Sequence, residues 1–382
     1  MTAPTKPLRL VIAGGGTGGH VLPAVAVIEE LRSRGITFDA LWIGSSKGVE
    51  RDIAATQGVP FVAIQTGKIR RYVAIQTFTD LARIPVGTAQ ACRAIRAFNP
   101  DVIYSTGGAV SVPSVVAGSR RAPILTHEQT AQVGIANRTA SRFAQTFAVG
   151  FEQTAILARK RHPNVVVTGN PVRTSLVNGN ASRGRERFGF VADLPIVYVT
   201  GGARGASPLN ARMEAILPML LERVQVIHQT GPATANPDYV RLCQLKGSLG
   251  SPLANRYAVL EYVRDELPDV YAMADLVVSR SGAGTVSELS YLGMVSILIP
   301  LPGTWGDEQR KNARILGDAG AAVVLEQHDA SPERLLREIM TLIDDPGQRA
   351  AMAEAARATS RPDAASRLVD ELLKLARSAA EP

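Results

Sequence analysis

Twice in this chain a short apolar run ends in a cluster of glycines, and that repeated junction limits the possible folds more than any other feature. The first is Leu8–Ala13 followed by Gly14-Gly15-Gly16-Thr17-Gly18-Gly19-His20; the second is Ile196–Val199 followed by Thr200-Gly201-Gly202-Ala203-Arg204-Gly205-Ala206. The glycines begin 187 residues apart, about one domain length. A β-rich apolar run, then glycines, then a helical stretch reads as one strand–turn–helix step of a parallel sheet. Further apolar runs follow the first junction at Ala40–Ile43, Phe61–Ile64 and Val102–Ser105. The second is followed by Val224–His228, Tyr257–Leu260, Leu276–Ser279 and Ser296–Pro300. Helices are expected from near Pro23, over 49–57, from about Leu209, and through the Ala/Arg/Glu-rich tail after Pro332. The expected fold class is α/β: two Rossmann-like doubly wound domains facing a central cleft. They span residues 1–170 and 171–382, with the last helix free to cross back to the first domain. The join falls near Asn170-Pro171, because proline holds the residue before it in extended geometry.

Composition narrows the class. With 382 residues, 46% hydrophobic and 20% charged, the chain is not disordered, collagenous or coiled coil. Its longest apolar stretches, such as Ala109–Gly118, fall short of the roughly 18–20 residues that cross a bilayer. The first residues lack a charged-then-apolar leader pattern, so a cytoplasmic protein is expected. Cys92 and Cys243 have no CxxC spacing and read as small buried apolar residues. Charge is uneven: residues 1–170 hold 19 Lys+Arg against 9 Asp+Glu, a balance of +10, while 171–382 hold 23 against 25, a balance of −2. An anionic partner is therefore expected on the first half, and nucleic acid, acidic lipid headgroups and diphosphates all qualify.

The first glycine loop formally satisfies GxGxxG, a dinucleotide signature, but the second strand ends Ile43-Gly44-Ser45-Ser46-Lys47 without the acid that would hold a ribose. A P-loop is excluded because His20 stands where Gly-Lys-Ser/Thr is needed. What remains is bare backbone at a helix N-terminus, suited to an anion or a developing negative charge, or to close strand–helix packing alone. His20 ends the loop at the expected cleft mouth, as a base for a hydroxyl nucleophile or as a packing residue. In the second half, Ser279-Arg280-Ser281-Gly282-Ala283-Gly284-Thr285-Val286-Ser287-Glu288 repeats the design. Its amides would face an anion, and Glu288 either binds a ribose diol or is simply a favourable first-turn acid. A polar loop, Leu301–Gln309, follows the next strand at its carboxyl end, where α/β ligand sites lie, and Asn312 follows on a helix. No Asp-x-Asp triplet and no His/Cys metal spacing occurs, so no catalytic metal is expected. Finally, Lys68, Arg70, Arg71 and Arg83 interleave with Ile69, Tyr72, Ile75, Phe78, Leu81 and Ile84. Such a basic amphipathic stretch suits either an anionic membrane surface or packing on its own domain.

Taken together, Gly15–His20, Thr106-Gly107-Gly108, His127-Glu128-Gln129, Gly169-Asn170-Pro171-Val172-Arg173, Gly201–Ala206, Arg280–Ala283, Ser287-Glu288 and Asp307-Glu308-Gln309 resemble the MurG-type glycosyltransferases. These are GT-B enzymes of glycosyltransferase family 28, and the likeness is collinear from about residue 8 to 330. The resemblance implies inverting, metal-independent transfer of N-acetylglucosamine from UDP-GlcNAc to the C4 hydroxyl of undecaprenyl-diphospho-MurNAc-pentapeptide, without cofactor. It assigns donor contacts to Thr17, Gly18, Gly19, Thr130, Arg173, Ala203, Arg264 (through its backbone, on the uracil), Ala283, Gly284, Thr285, Val286, Ser287, Glu288 (on the ribose) and Gln309 (near the sugar). His20 is the implied base, with the acceptor on Gly15–Gly19 and the Thr106–Ser111 turn. Lys68, Arg70, Arg71, Ile75, Phe78 and Arg83 align with the family's membrane-contact patch, which implies a peripheral enzyme on the cytoplasmic face. Three positions depart from the family: Thr130 replaces Asn in HEQN, Ala109 replaces Tyr in GGYVS, and Ala203 replaces Ser in GGS. They leave open a paralogue with another acceptor. A UDP-GlcNAc 2-epimerase shares the architecture, but the basic patch speaks against it. A nucleic-acid binder would need an aromatic platform, and aromatic residues are only 5% of the chain.

Overall fold

The computed structural model describes residues 6–16, 18–46, 48–67 and 75–379, with the backbone alone for 75–82. It forms two compact units. One runs up to Arg173 and resumes at Arg361; the other is Thr174–Ser360.

The first unit is a seven-stranded, wholly parallel sheet: β1 Leu8–Gly14, β2 Phe38–Ser45, β3 Phe61–Ile64, β4 Val102–Gly107, β5 Ile124–Glu128, β6 Thr146–Val149 and β7 Val165–Val167, in the order β3-β2-β1-β4-β5-β6-β7. The second has six parallel strands: β8 Ile196–Thr200, β9 Gln225–Gln229, β10 Tyr257–Leu260, β11 Leu276–Ser279, β12 Ser296–Leu298 and β13 Ala322–Val324, in the order β10-β9-β8-β11-β12-β13. The central strands β1 and β8 are buried along almost their whole length, as strands covered by helices on both faces must be. Strand order reverses between β1 and β4, and again between β8 and β11. Ligands of doubly wound sheets bind at such switch points, beyond the carboxyl ends of the strands.

Two helices depart from the sequence expectation. The one after β1 starts at Gly18, a full turn before Pro23, and runs to Ser33. Pro23 lies inside it, where the missing N–H gives up the bond to the Gly19 carbonyl. The helix after β8 starts at Ser207, with Pro208 in its first turn, rather than near Leu209. The basic amphipathic stretch enters a helix at Ile75, which continues to Phe98.

The last helix, Ala364–Ser378, belongs to the first unit. Leu368, Val369 and Leu372 are fully buried against Leu10, Val21, Val25 and Ile28. Arg34 fastens it, bonding Asp370 at 2.6 Å and the Ser366 carbonyl at 3.0 Å.

Candidate functional site

In the first unit the turns after β1 and β4 meet at the switch point. Gly107 and Gly108 leave β4 with φ of 97° and 81°, a region that favours glycine. Gly108 also has no room for a Cβ, which would lie 2.4 Å from the Gly15 carbonyl oxygen, and at Gly107 a Cβ would press on Asn137 and His20 at 3.0–3.1 Å. Small residues here thus let the Thr106–Ser111 turn close on the first glycine loop. His20, in the first turn of its helix, points Nδ1 at the Thr106 carbonyl (3.1 Å) and at Gln129 Oε1 (3.2 Å). Gly18 and Gly19 open the same helix. Thr17 lies outside the described residues.

Beneath the loop sits a residue the sequence reading passed over. Glu50, fully buried, accepts from Gly16 N–H (3.0 Å), Ser45 N–H (2.7 Å) and the Ser45 hydroxyl (2.6 Å). A Cβ on Gly15, Gly44 or Gly48 would collide with its side chain. Those glycines were the signal, since they mark the volume that a large residue fills.

Beside this, β5 ends in His127-Glu128, followed by Gln129-Thr130. Glu128 is buried and fully used: Oε1 accepts from the Thr130 amide (3.2 Å) and hydroxyl (2.9 Å), Oε2 from Gly134 N–H (2.8 Å) and Asn137 Nδ2 (3.0 Å). The Thr130 hydroxyl thus bonds within its own turn. His127 is held well below its ordinary pKa, at about 4, chiefly by burial; the nearby His20 also lowers it, while its bond to the Gly169 carbonyl raises it. It is a neutral imidazole at physiological pH.

In the second unit the same two positions carry different groups. After β8, Gly202 N–H bonds the Thr200 hydroxyl (3.0 Å), and its carbonyl accepts from Gln229 Nε2 (3.0 Å). Ala203 lies exposed at the tip of this turn. After β11, Gly282 leads into the helix Ala283–Leu292, whose N-terminus no side chain caps. The first-turn amides at Gly284 and Thr285 have no partner one turn back, so this is a site for negative charge. Three residues beyond Thr285, past the first turn, Glu288 Oε2 accepts from the Tyr271 hydroxyl at 3.0 Å; Val286 and Ser287 between are buried.

Behind the turn lies Arg280, 6% exposed, with neutral partners: the carbonyls of Ile299 (2.9 Å) and Pro300 (3.2 Å) and the amide oxygen of Gln327 (2.6 Å). Burial, and then Arg212, lower its pKa to about 10, so it stays cationic at neutral pH. Gln309 Oε1 accepts from Leu301 N–H (2.9 Å), which turns its NH2 end away from that loop, and its carbonyl receives the Ser281 hydroxyl (2.7 Å). Arg264 lies exposed with its guanidinium over the Tyr262 ring, while its carbonyl accepts from Leu267 N–H. Arg173 is the last residue of the first unit before the chain passes into the second.

The sequence-predicted residues therefore fall in two groups. Gly18, Gly19, His20 and Thr130 gather at the first switch point, while Ala203, Ala283–Glu288 and Gln309 gather about the second. Among the described residues, no group of three or more His, Cys, Asp or Glu could hold a metal ion.

Comparison with known proteins gives consistent results. The glycosyltransferase family 28 N-terminal domain matches residues 10–149 and the family's C-terminal domain matches residues 196–368. Proteins named UDP-N-acetylglucosamine–N-acetylmuramyl-(pentapeptide) pyrophosphoryl-undecaprenol N-acetylglucosamine transferase are similar over nearly the whole chain. That of Desulforudis audaxviator is 36% identical over 97% of this chain and 99% of its own. That of Halalkalibacterium halodurans is 33% identical over 94% and 98%. Among solved structures, MurG of Acinetobacter baumannii superposes with a TM-score of 0.70 at 27% identity, covering 96% of this chain and 100% of its own. A UDP-GlcNAc 2-epimerase from Neisseria meningitidis, at 15% identity and a TM-score of 0.68 over 97% and 100%, shares the fold.

Proposed function

The chain belongs to glycosyltransferase family 28, and from that premise we propose that it moves N-acetylglucosamine from UDP-GlcNAc to the C4 hydroxyl of undecaprenyl-diphospho-MurNAc-pentapeptide, a step of peptidoglycan synthesis. The observation that carries this reading is the near full-length match to relatives named for that transfer. In the reaction the acceptor oxygen bonds to C1 of the sugar from the face opposite UDP. The C1–O bond to UDP breaks, and UDP leaves with the electron pair.

The second unit's groups suit the donor. Amides of Ala283–Thr285 and the Ala203 turn meet the diphosphate, with Arg173, and stabilise the charge it gains as it departs. Glu288, held by Tyr271, takes the ribose diol; the Arg264 backbone takes the uracil, and Gln309 the sugar. Val286, Ser287 and Thr130 complete the donor contacts, with Thr17, Gly18 and Gly19 from the first loop. The first loop and the Thr106–Ser111 turn suit the acceptor, and His20 removes its hydroxyl proton. Lys68, Arg70, Arg71, Ile75, Phe78 and Arg83 form the contact with an anionic membrane surface, placing the enzyme peripherally on the cytoplasmic face. Of that patch, Lys68, Arg70 and Arg71, and the side chains of Ile75 and Phe78, lie outside the described residues; Arg83 is exposed. No described helix is long and apolar enough to cross a membrane.

The test is a transfer assay with labelled UDP-GlcNAc and a lipid-linked muramoyl-pentapeptide acceptor, with EDTA present. Formation of disaccharide-lipid is expected, and UDP binding without product would overturn the assignment. His20→Ala should lower turnover by roughly 10²–10⁴ with UDP affinity nearly unchanged. Equal loss of both would make His20 structural.

A further inference from the structure

A chain of hydrogen bonds fixes where the His20 proton sits. It begins at the Gly169 carbonyl, which faces His127 Nε2 at 3.1 Å; a carbonyl only accepts, so Nε2 carries the proton of this neutral ring. His127 Nδ1 is then a bare acceptor, and it receives the Tyr104 hydroxyl and Gln129 Nε2, each at 3.3 Å. The same end of the Gln129 amide faces two carbonyls, Thr106 at 2.8 Å and His127 at 3.1 Å. With three acceptors around it, that end must be the NH2, and the Gln129 oxygen is the end that faces His20 Nδ1. His20 Nδ1 therefore sees only acceptors, Gln129 Oε1 and the Thr106 carbonyl. Every group in the relay except His20 is buried, Gln129 to 1% exposure, so water does not substitute for these bonds.

We propose that Gln129, seated by His127, is the positioning residue of the transfer reaction: it holds the neutral His20 ring with its proton on Nδ1 and presents Nε2 as the bare acceptor. This rests on the reading of His20 as the base. A ring free to exchange tautomers would spend part of its time with Nε2 protonated and unable to take the acceptor proton. Unlike the aspartate that orients histidine in hydrolase triads, Gln129 orients it without adding charge.

The test reads the tautomer directly, by long-range ¹H–¹⁵N correlation on histidine-labelled full-length protein above the His20 pKa, with His20→Gln identifying the signal. In the wild type, His20 is expected as the Nδ1–H form, with Nε2 showing the downfield shift of an unprotonated nitrogen. Gln129→Met, similar in volume but unable to bond, should move the spectrum toward a tautomer mixture. It should also lower kcat tenfold to a hundredfold, part of what a positioned base supplies, with KM for UDP-GlcNAc within about twofold. A wild-type ring protonated on Nε2 overturns the proposal, and needs no variant that folds. So does a Gln129→Met protein with unchanged tautomer and kcat. A tautomer that shifts while kcat holds, with His20→Ala equally active, would overturn it through the base reading, leaving the hydrogen-bond chain as a structural feature.

Discussion

The two glycine loops are alike in sequence and opposite in what lies behind them. The first loop, Gly14–Gly19, rests on the buried carboxylate of Glu50, which takes the Gly16 N–H. The second, Gly201–Ala206, is held by neutral groups, the Thr200 hydroxyl and the Gln229 amide. Thr200 also joins it to a buried cation, since its carbonyl accepts from the Arg280 amide N–H. A carboxylate under a loop uses up an N–H and opposes the helix-terminal field, whereas a guanidinium with only neutral partners adds to it. A glycine-rich turn at a helix N-terminus is therefore not by itself a phosphate site; the buried charge behind it decides. On the proposed reading, this difference suits the first loop to the acceptor hydroxyl and its base, and the second to the donor diphosphate.

The comparison breaks most visibly at Glu50. Glu50→Ala takes the acceptor away from the Gly16 and Ser45 amides and the Ser45 hydroxyl, partly buried donors that cost about 1–3 kcal/mol each where no water enters. A stability loss of about 3–5 kcal/mol is expected in urea unfolding. Turnover should fall with it, because His20 lies in the first turn of the helix that this loop feeds. UDP binding, which the proposed reading assigns chiefly to the second unit, should persist at temperatures where the variant is folded. Glu50→Gln should recover only part of the loss, because its NH2 end must face an N–H donor. A loss below about 1 kcal/mol would show that the loop holds its shape without the carboxylate.

The strands on either side of this difference were legible; the clasps were not. β1, β4, β8 and β11 are apolar runs ending in glycine or small residues, and full burial of a parallel strand writes that pattern directly. β7 and β13 have three residues each and β6 only four, too few for any period to register. β5 ends in His127-Glu128, whose burial depends on hydrogen bonds that no hydropathy pattern announces. His20 and Glu288 could be named because helix starts locate them. Glu50 and Tyr271 act on groups 34 and 17 residues away, contacts that only the folded sheet creates. The join was expected at Asn170-Pro171; the units divide after Arg173 and the chain returns at Arg361. Leu368, Val369 and Leu372 read as one face of an amphipathic helix, and such a face does not say which core it enters.

A second pair sharpens the contrast. Each unit buries one neutral histidine in the same bonding frame: Tyr104 donates to His127 Nδ1, and Tyr257 to His228 Nδ1 (3.0 Å), while the Nε2 protons go to Gly169 and to Asn210 Oδ1 (3.0 Å). Burial lowers their pKa values to about 4 and about 3. The unfolded chain binds the proton near pH 6.5 and the folded chain does not, so their stabilisation is complete above that pH and is lost as pH falls toward the folded values. By pH 5.5 each should have removed about 1.4 kcal/mol, with close to two protons taken up on unfolding. Only His127 is wired to His20, so a mild acid loss of activity that precedes unfolding would trace to the first unit. A urea midpoint that stays flat from pH 7 to 5.5 would contradict both burials.

The smallest expected effect is at Arg280, and it is the one that tests the electrostatic half of the comparison. Its guanidinium lacks a carboxylate partner among its hydrogen bonds, and its Nε is buried without one at all. Replacing a buried cation of this kind with Met removes a desolvated charge as well as three hydrogen bonds, so the two contributions to stability oppose each other. Folding should change by less than about 1.5 kcal/mol, in contrast to Glu50. Affinity for UDP should fall roughly tenfold, about 1.4 kcal/mol, because the field behind the diphosphate is weakened. Uridine, which carries no phosphate, should bind as before, and titration calorimetry with the two ligands separates them. Equal weakening of both would mean that Arg280 shapes the loop through Ile299 and Pro300, and that the second loop binds phosphate by its amides alone.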